Sequence, residues 1–302
     1  MPIIARHEAD WCKLGTLDPY YGVFSSDCFK TDNLTAAKKD DMFASGVHHI
    51  QICFAILDRV FNWQPEGTAL DFGGGVGRVT CAMSPYFTQV VGVDISPGML
   101  MEARDEGHKR GFHNILYTLS TEDSVWASEI YDFVHSYIVL QHIPTRAGER
   151  IIAKLITSLK VGGAGALHIT YGTSRFREAV KKFLPLRGVV NLLRRRPWHY
   201  PTMQMNSYRL SKIFDIFASR GVNEFYVSRI DDSGTPGLFI FFRRPATAKA
   251  LSTWSNPVQR VQKKAVLDKS GLASVSWGFD SEQDFREALA EAANNARGTH
   301  ND

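Results

Sequence analysis

Residues 70–78 read LDFGGGVGR, four glycines behind an aspartate at the end of an apolar run. Glycine is costly to order, so this density implies a tight turn, a close strand–helix crossing, or backbone N–H groups brought up to a ligand. Gly73, Gly75 and Gly77 make the spacing G-x-G-x-G, whereas a dinucleotide fingerprint needs a glycine at the position of Arg78. An arginine there favours a ligand with a nucleoside and a carboxylate over one with a pyrophosphate. A second carboxylate, Asp94, ends the run VVGVD about 20 residues further on, where an acidic side chain can accept hydrogen bonds from both hydroxyls of a ribose. The competing reading of Asp94 is a helix N-cap, because DISPGM leads into a helical pattern through Pro97. A third group is His142 in VLQHIP, an imidazole with the intrinsic pKa of a general base for a hydroxyl. Its competing role is a structural turn before a helix. Tyr137 and His168 are weaker candidates for the same chemistry.

The elements that position these residues follow from periodicity. Short β-rich runs at 68–72, 89–94, 114–118, 131–138 and 165–171 alternate with helical spacing at 77–86, 97–110 and 146–159, which indicates βαβ units and a parallel sheet. NSYRLSKIFDIFASRG reads as a helix ending at Gly221, followed by VNEFYVSRI and GLFIFFRR around the turn-rich DDSGTPG. A hairpin closing a parallel sheet gives a mixed α/β sandwich. In that frame the glycines open the first helix after the first strand, the place where a doubly wound sheet binds its ligand. Residues 38–61 read as a helix, and the arm before residue 34 as irregular.

In combination ALDFGGGVGRVT, VVGVDISPGML, YDFVHSYIVLQHIP and LITSLKVGGAGALHITY resemble the class I S-adenosylmethionine-dependent methyltransferases over residues 68–171. The resemblance implies a Rossmann-like, seven-stranded sheet with its last strand antiparallel, sandwiched by helices, and S-adenosylmethionine as cofactor. It implies a methionine moiety near Asp71, Gly73 and Gly75, the ribose on Asp94, and Ile95 over the adenine. Where the family commonly carries an acidic residue near the adenine amino group, this chain has Thr121 followed by Glu122, so that contact falls to the Thr121 backbone or to a shifted carboxylate. Tyr137 is placed at the cofactor as well. DPYY at residues 18–21 is similar to a signature of base-amine methyltransferases but stands ahead of the glycine turn rather than after the fourth strand. We read it as aromatic cover, Tyr20 and Tyr21 helping to close the cofactor site.

Composition bounds the rest. At 302 residues and 44% hydrophobic the chain can bury a full core, and a net charge of +4 does not by itself indicate nucleic acid. Nucleic-acid methylation is not expected, for want of a flanking binding domain and a well-placed base-flipping motif. Cys12, Cys28, Cys53 and Cys81 form no C-x-x-C pair, so buried free thiols are expected rather than a disulfide framework or a zinc site. No signal peptide or membrane span is read, which suggests a cytoplasmic protein. The expected organisation is an arm at 1–37 covering the site, a methyltransferase domain at 38–244 with an insertion at 172–206, and an appendix at 245–302. In the appendix a helix starts near Ser281, with Ser281 and Asp284 at capping positions. Between residues 172 and 200 stand eight lysines and arginines, Arg194, Arg195 and Arg196 among them, against Glu178 alone. A solvated face accommodates either sign equally well, so so one-sided a bias points to an anionic acceptor or an anionic membrane surface. The expected reaction is O-methylation of a hydroxyl on a sugar-containing or other small acceptor bearing an anionic group. The alternatives are N-methylation of an amino sugar or small amine, and a cofactor-binding protein without catalysis.

Overall fold

The computed structural model describes residues 3–121, 123–172, 201, 203, 205–232 and 235–245. Seven strands lie in one sheet, β1 (Thr68–Phe72), β2 (Gln89–Asp94), β3 (Ile115–Leu119), β4 (Tyr131–Ser136), β5 (Leu159–Thr170), β6 (Phe225–Asp232) and β7 (Thr235–Arg243), in the order β3-β2-β1-β4-β5-β7-β6. β1 pairs in parallel with both β2 and β4, β2 with β3, and β4 with β5. β7 runs antiparallel to its neighbours β5 and β6. This is the mixed, Rossmann-like sheet with a reversed last strand that the sequence implied. The turn of the closing hairpin is shorter than DDSGTPG suggests, since pairing continues to Asp232 opposite Thr235.

Strand alternation sends side chains to two cores. Leu70, Phe72, Val91, Val93, Val134 and Leu167 face α6 (Thr145–Ser158) and α7 (Leu210–Ala218). Ala69, Val90, Phe133, Ala166 and Phe241 face α3 (Ala36–Phe61) and α4 (Arg78–Met83). α3 is capped at its start by Thr35, whose side chain accepts from the Lys38 amide, and ends on Asn62 in the left-handed conformation. Its buried positions Met42, Phe43, Gly46, Ile50, Cys53, Phe54, Leu57 and Phe61 recur every three or four residues. At Gly46 the α3 backbone passes so close to α4 that a Cβ would lie 2.3 Å from the Arg78 carbonyl oxygen.

The N-terminal arm departs from expectation. It forms α1 (Ile3–Leu17) and α2 (Pro19–Val23), not an irregular segment. α1 packs on α5 (Pro97–Lys109), where a Cβ at Gly98 would meet the Gly15 carbonyl oxygen at 2.5 Å. Ile4, Trp11 and Leu14 already carried a helical period, masked by Gly15, which lies inside α1, and by Pro19, which opens α2. β4 stops at Ser136 instead of Ile138, because Ile138 turns the chain with φ 60, a strained value for a β-branched residue. Cys53 and Cys81 are buried as expected, while Cys12 and Cys28 are only partly so. The basic cluster with Arg194, Arg195 and Arg196, Glu122, and the Ser281 helix lie outside the described residues.

Candidate cofactor and active site

The glycine turn joins β1 to α4 with Gly73, Gly75 and Gly77 all at positive φ, 79, 55 and 86, which side-chain-bearing residues rarely adopt. The Gly73 and Gly74 amides donate to the Val93 carbonyl at 2.7 and 2.9 Å, which binds the turn to β2. The Gly75 amide donates to Asp94 Oδ2 at 3.0 Å, and the Ser96 amide to Oδ1 at 2.9 Å. Ser96, not Asp94, caps α5, its hydroxyl accepting from the Met99 amide. The N-cap reading of Asp94 therefore falls away. Burial raises the Asp94 pKa above the ordinary carboxylate value, and the amides of Ser96, Gly75 and Ile95 pull the other way. A carboxylate offers about four lone-pair sites, so acceptor capacity remains beyond these amides.

Asp71, which the resemblance puts near the methionine moiety, lies at the end of β1 beneath the glycine turn. It is 2% exposed; Thr80 Oγ1 donates to its Oδ2 at 2.6 Å and His135 Nδ1 lies 2.9 Å from its Oδ1. It braces the turn from beneath, with both oxygens held by protein groups. Arg78, at the position a dinucleotide fingerprint gives to glycine, opens α4 with its guanidinium buried, near the Phe24 ring and 3.3 Å from Ser45 Oγ.

Hydrophobic groups wall the turn. A Cβ at Gly73 would meet Val139 at 2.3 Å, and one at Gly75 would meet Val23 of α2 at 3.0 Å. Ile95, half-buried, lies beneath α1, where Cys12 Sγ is 3.6 Å from its carbonyl oxygen. Thr121 follows Ser120, whose amide donates to the Asp94 carbonyl, so its exposed turn adjoins the same edge. Tyr21 is buried in α2 below Lys30. Tyr20 is turned away from the site: its hydroxyl donates to Glu102 at 3.0 Å and Lys39 covers its ring, which corrects its expected role as cofactor cover. The Tyr137 ring packs against His49, His168 and Phe239.

His142 lies in the short 3-10 turn Leu140–His142 past β4, 8% exposed, with the Trp11 ring of α1 at 4.9 Å. Thr170 Oγ1 donates to Gln141 Oε1 at 2.9 Å, which leaves the Gln141 amide nitrogen 3.3 Å from His142 Nε2. That amide donates, so Nε2 accepts and the imidazole proton sits on Nδ1. Tyr208 fixes the same turn, its hydroxyl donating to the carbonyls of Leu140 and Ile143 at 2.7 and 3.1 Å. Trp11, Gln141 and Tyr208 escaped the sequence reading, because their partners are remote in sequence. Only the adjacency of Gln141 to His142 was visible.

Residues 69–163 match a family model described as a methyltransferase domain. This part of the chain is a class I S-adenosylmethionine-dependent methyltransferase domain. The chain is 22% identical over 126 residues to an uncharacterized methyltransferase, YcgJ of Bacillus subtilis (strain 168), a match spanning 41% of this chain and 48% of that relative. The chain thus covers about half the length of the curated relative it matches. Among solved structures it is similar to a chain of the Haloferax volcanii complex between the Trm112 methyltransferase activator and a methyltransferase candidate. That likeness has a TM-score of 0.50 at 14% identity, covering 76% of this chain and 97% of that one. It is also similar to the Synechocystis PCC 6803 magnesium protoporphyrin IX methyltransferase ChlM with bound S-adenosylmethionine, at TM-score 0.49, 16% identity, and 79% and 97% coverage. The methyltransferase cofactor, S-adenosylmethionine, fits what this chain presents: bare backbone at Gly73 and Gly75, and a carboxylate with spare acceptor capacity beside it. No helix among the described residues is long and apolar enough to cross a membrane.

Proposed function

We propose that the protein transfers a methyl group from S-adenosylmethionine to a hydroxyl of a sugar-containing or other small acceptor that carries an anionic group. The observation that supports methyl transfer best is the Gly75–Asp94 contact of 3.0 Å, which joins the glycine turn to the acidic end of β2 inside the matched segment. The bound cofactor supplies a methyl group on a sulfonium, ready for in-line displacement. Asp94 would hold the ribose hydroxyls, the Gly73–Gly75 backbone the methionine end, and Ile95 and the Thr121 backbone the adenine. Val139, Val23 and α1 keep water from the reacting atoms.

A hydroxyl acceptor loses its proton as the new C–O bond forms, and His142 Nε2 is the atom that takes it once the acceptor O–H replaces the Gln141 amide there. The anionic preference rests on the one-sided charge of residues 172–200 and on where that segment leaves and rejoins the fold. Tyr208 N donates to the Thr170 carbonyl and Asn206 N to the Gln141 carbonyl, so both flanks adjoin the His142 turn. One observation favours the amine reading: Nε2 of His142 is already engaged and Trp11 covers the ring, and a neutral amine acceptor needs no strong base.

The experiment is an acceptor panel assayed for S-adenosylhomocysteine with wild type and His142→Ala. Hydroxyl methylation with His142 as base predicts a fall in kcat of roughly 10²-fold and nearly unchanged cofactor affinity. Equal rates on an amine acceptor establish the second reading. Cofactor binding without turnover on any acceptor leaves a binding protein, and absence of cofactor binding by calorimetry sinks the proposal altogether.

A further inference from the structure

Beneath the glycine turn, on the α3 side of the sheet, three side chains that the methyl-transfer chemistry does not use converge. His49 and Cys53 are four residues apart on α3 and so share one face of the helix. His135 comes from β4. His49 Nε2 lies 2.9 Å from His135 Nε2, and Cys53 Sγ lies 3.7 Å from His49 Nε2. All three donor atoms are within 4.8 Å of one another, and among the described residues no other three His, Cys, Asp or Glu side chains come together in this way.

The tautomers follow from Asp71. An ionised carboxylate only accepts, so His135 carries its proton on Nδ1, toward Asp71 Oδ1 at 2.9 Å, and offers the lone pair of Nε2 to the cluster. A histidine whose far nitrogen donates to a carboxylate has the arrangement that orients metal-bound imidazoles and raises their basicity. Around one zinc ion, with Zn–N near 2.0–2.1 Å and Zn–S near 2.3 Å, tetrahedral geometry separates two nitrogens by about 3.3 Å and a nitrogen from a sulfur by about 3.6 Å. The observed separations of 2.9 and 3.7 Å are within a few tenths of an ångström of these.

We propose that His49, Cys53 and His135 bind a divalent transition-metal ion of the zinc class. Two imidazoles and a thiolate select a borderline-soft ion over magnesium or calcium. In the metal-free arrangement the Nε2 proton of His49 bridges the two rings. Binding shifts that proton to His49 Nδ1 and releases the Cys53 thiol proton to solvent, one proton per ion, while each of the three donors gives a lone pair to the metal. His49 is only half-buried, which leaves the ion a way in. A bound ion would clip α3 to β4 and, through His135, fix Asp71 under the glycine turn. The spacing of the cysteines along the chain gave no sign of this, because two of the ligands come from one helix turn and the third from a strand 86 residues away.

The test uses the full chain, stripped of metal with a chelator and titrated with Co²⁺. One equivalent should generate a thiolate-to-cobalt charge-transfer absorption that Zn²⁺ then abolishes, with a rise in Tm in excess Zn²⁺. Cys53→Ser should lose the charge-transfer absorption, and His49→Gln should weaken Zn²⁺ at least ~10-fold, each checked for native circular dichroism. Absence of the charge-transfer absorption in the wild type overturns the proposal without reference to any variant. Its persistence in folded Cys53→Ser assigns the metal to another cysteine and overturns it equally.

Discussion

Asp94 is the residue whose chemistry is most constrained, since two backbone amides fix its carboxylate and burial makes its charge expensive. Asp94→Asn keeps the shape but replaces one acceptor oxygen with a donor, which repels either the Gly75 or the Ser96 amide. Affinity for S-adenosylmethionine should fall by roughly 10–100-fold, about 1.5–3 kcal/mol, in a protein of native circular dichroism. Calorimetry with unchanged affinity removes Asp94 from the site. The pH dependence has a definite sign. An acid with a raised pKa takes up its proton earlier as pH falls, and a protonated Asp94 loses acceptor capacity. Cofactor affinity should therefore be full at neutral pH and begin to fall at a higher pH than an ordinary aspartate would dictate, and the Asn variant should show no such fall. This residue was legible in the sequence because its neighbours in space, the glycine turn and Ser96, are also its neighbours in motif. The state of Asp71 was not legible. Its partner His135 comes into reach only when β1 and β4 pair in register, and Thr80 only when the glycine turn brings the start of α4 back to β1.

At the scale of elements, the arm is held by α5 and α3 together. Glu106 of α5 lies within 3.5 Å of Lys39, Lys109 and Arg110, and Glu102 accepts from Tyr20 of α2. Burial pushes the Glu106 pKa up, but these cations outweigh it and hold the carboxyl below its ordinary value. A carboxylate with a depressed folded pKa contributes stability that is present above the unfolded value of about 4.3 and is lost as pH falls through the folded one. Glu106→Gln should cost about 1–2 kcal/mol at pH 7 by urea denaturation, less than a sealed ion pair because Lys109 and Lys39 remain wetted. The gap between variant and wild type should close as pH drops below about 4.3. A gap independent of pH means that packing, not charge, is what Glu106 provides. The strands of the sheet could be read from sequence because each is a short apolar run between glycines or polar turns. α1 and α2 could not, because their amphipathic face is completed by α5, and a short helix has little intrinsic stability apart from what it packs on.

At the scale of the whole molecule, the sheet separates the cluster under α6 and α7 from the cluster under α3, and Phe133 is fully buried in the latter. Phe133→Ala should destabilise the fold by about 3–5 kcal/mol in equilibrium unfolding, whereas exposed Leu116 on edge strand β3 should tolerate Ala at under about 1 kcal/mol. Equal costs would mean that the α3-side core is not close-packed. The strand order has a consequence for how the chain is made. β5, whose residues Gly163 to Thr170 are buried, presents its outer edge to β7 alone, and β7 is formed by residues 235–243. During synthesis the parallel half of the sheet can assemble first, but its widest apolar edge then waits some seventy residues for a partner, past the basic segment, α7 and β6. An unpaired edge of that kind is a template for other chains. A nascent chain stalled before residue 235 should thus be the aggregation-prone form of this protein, and a chaperone that shields strand edges should matter most in the interval between the emergence of β5 and that of β7.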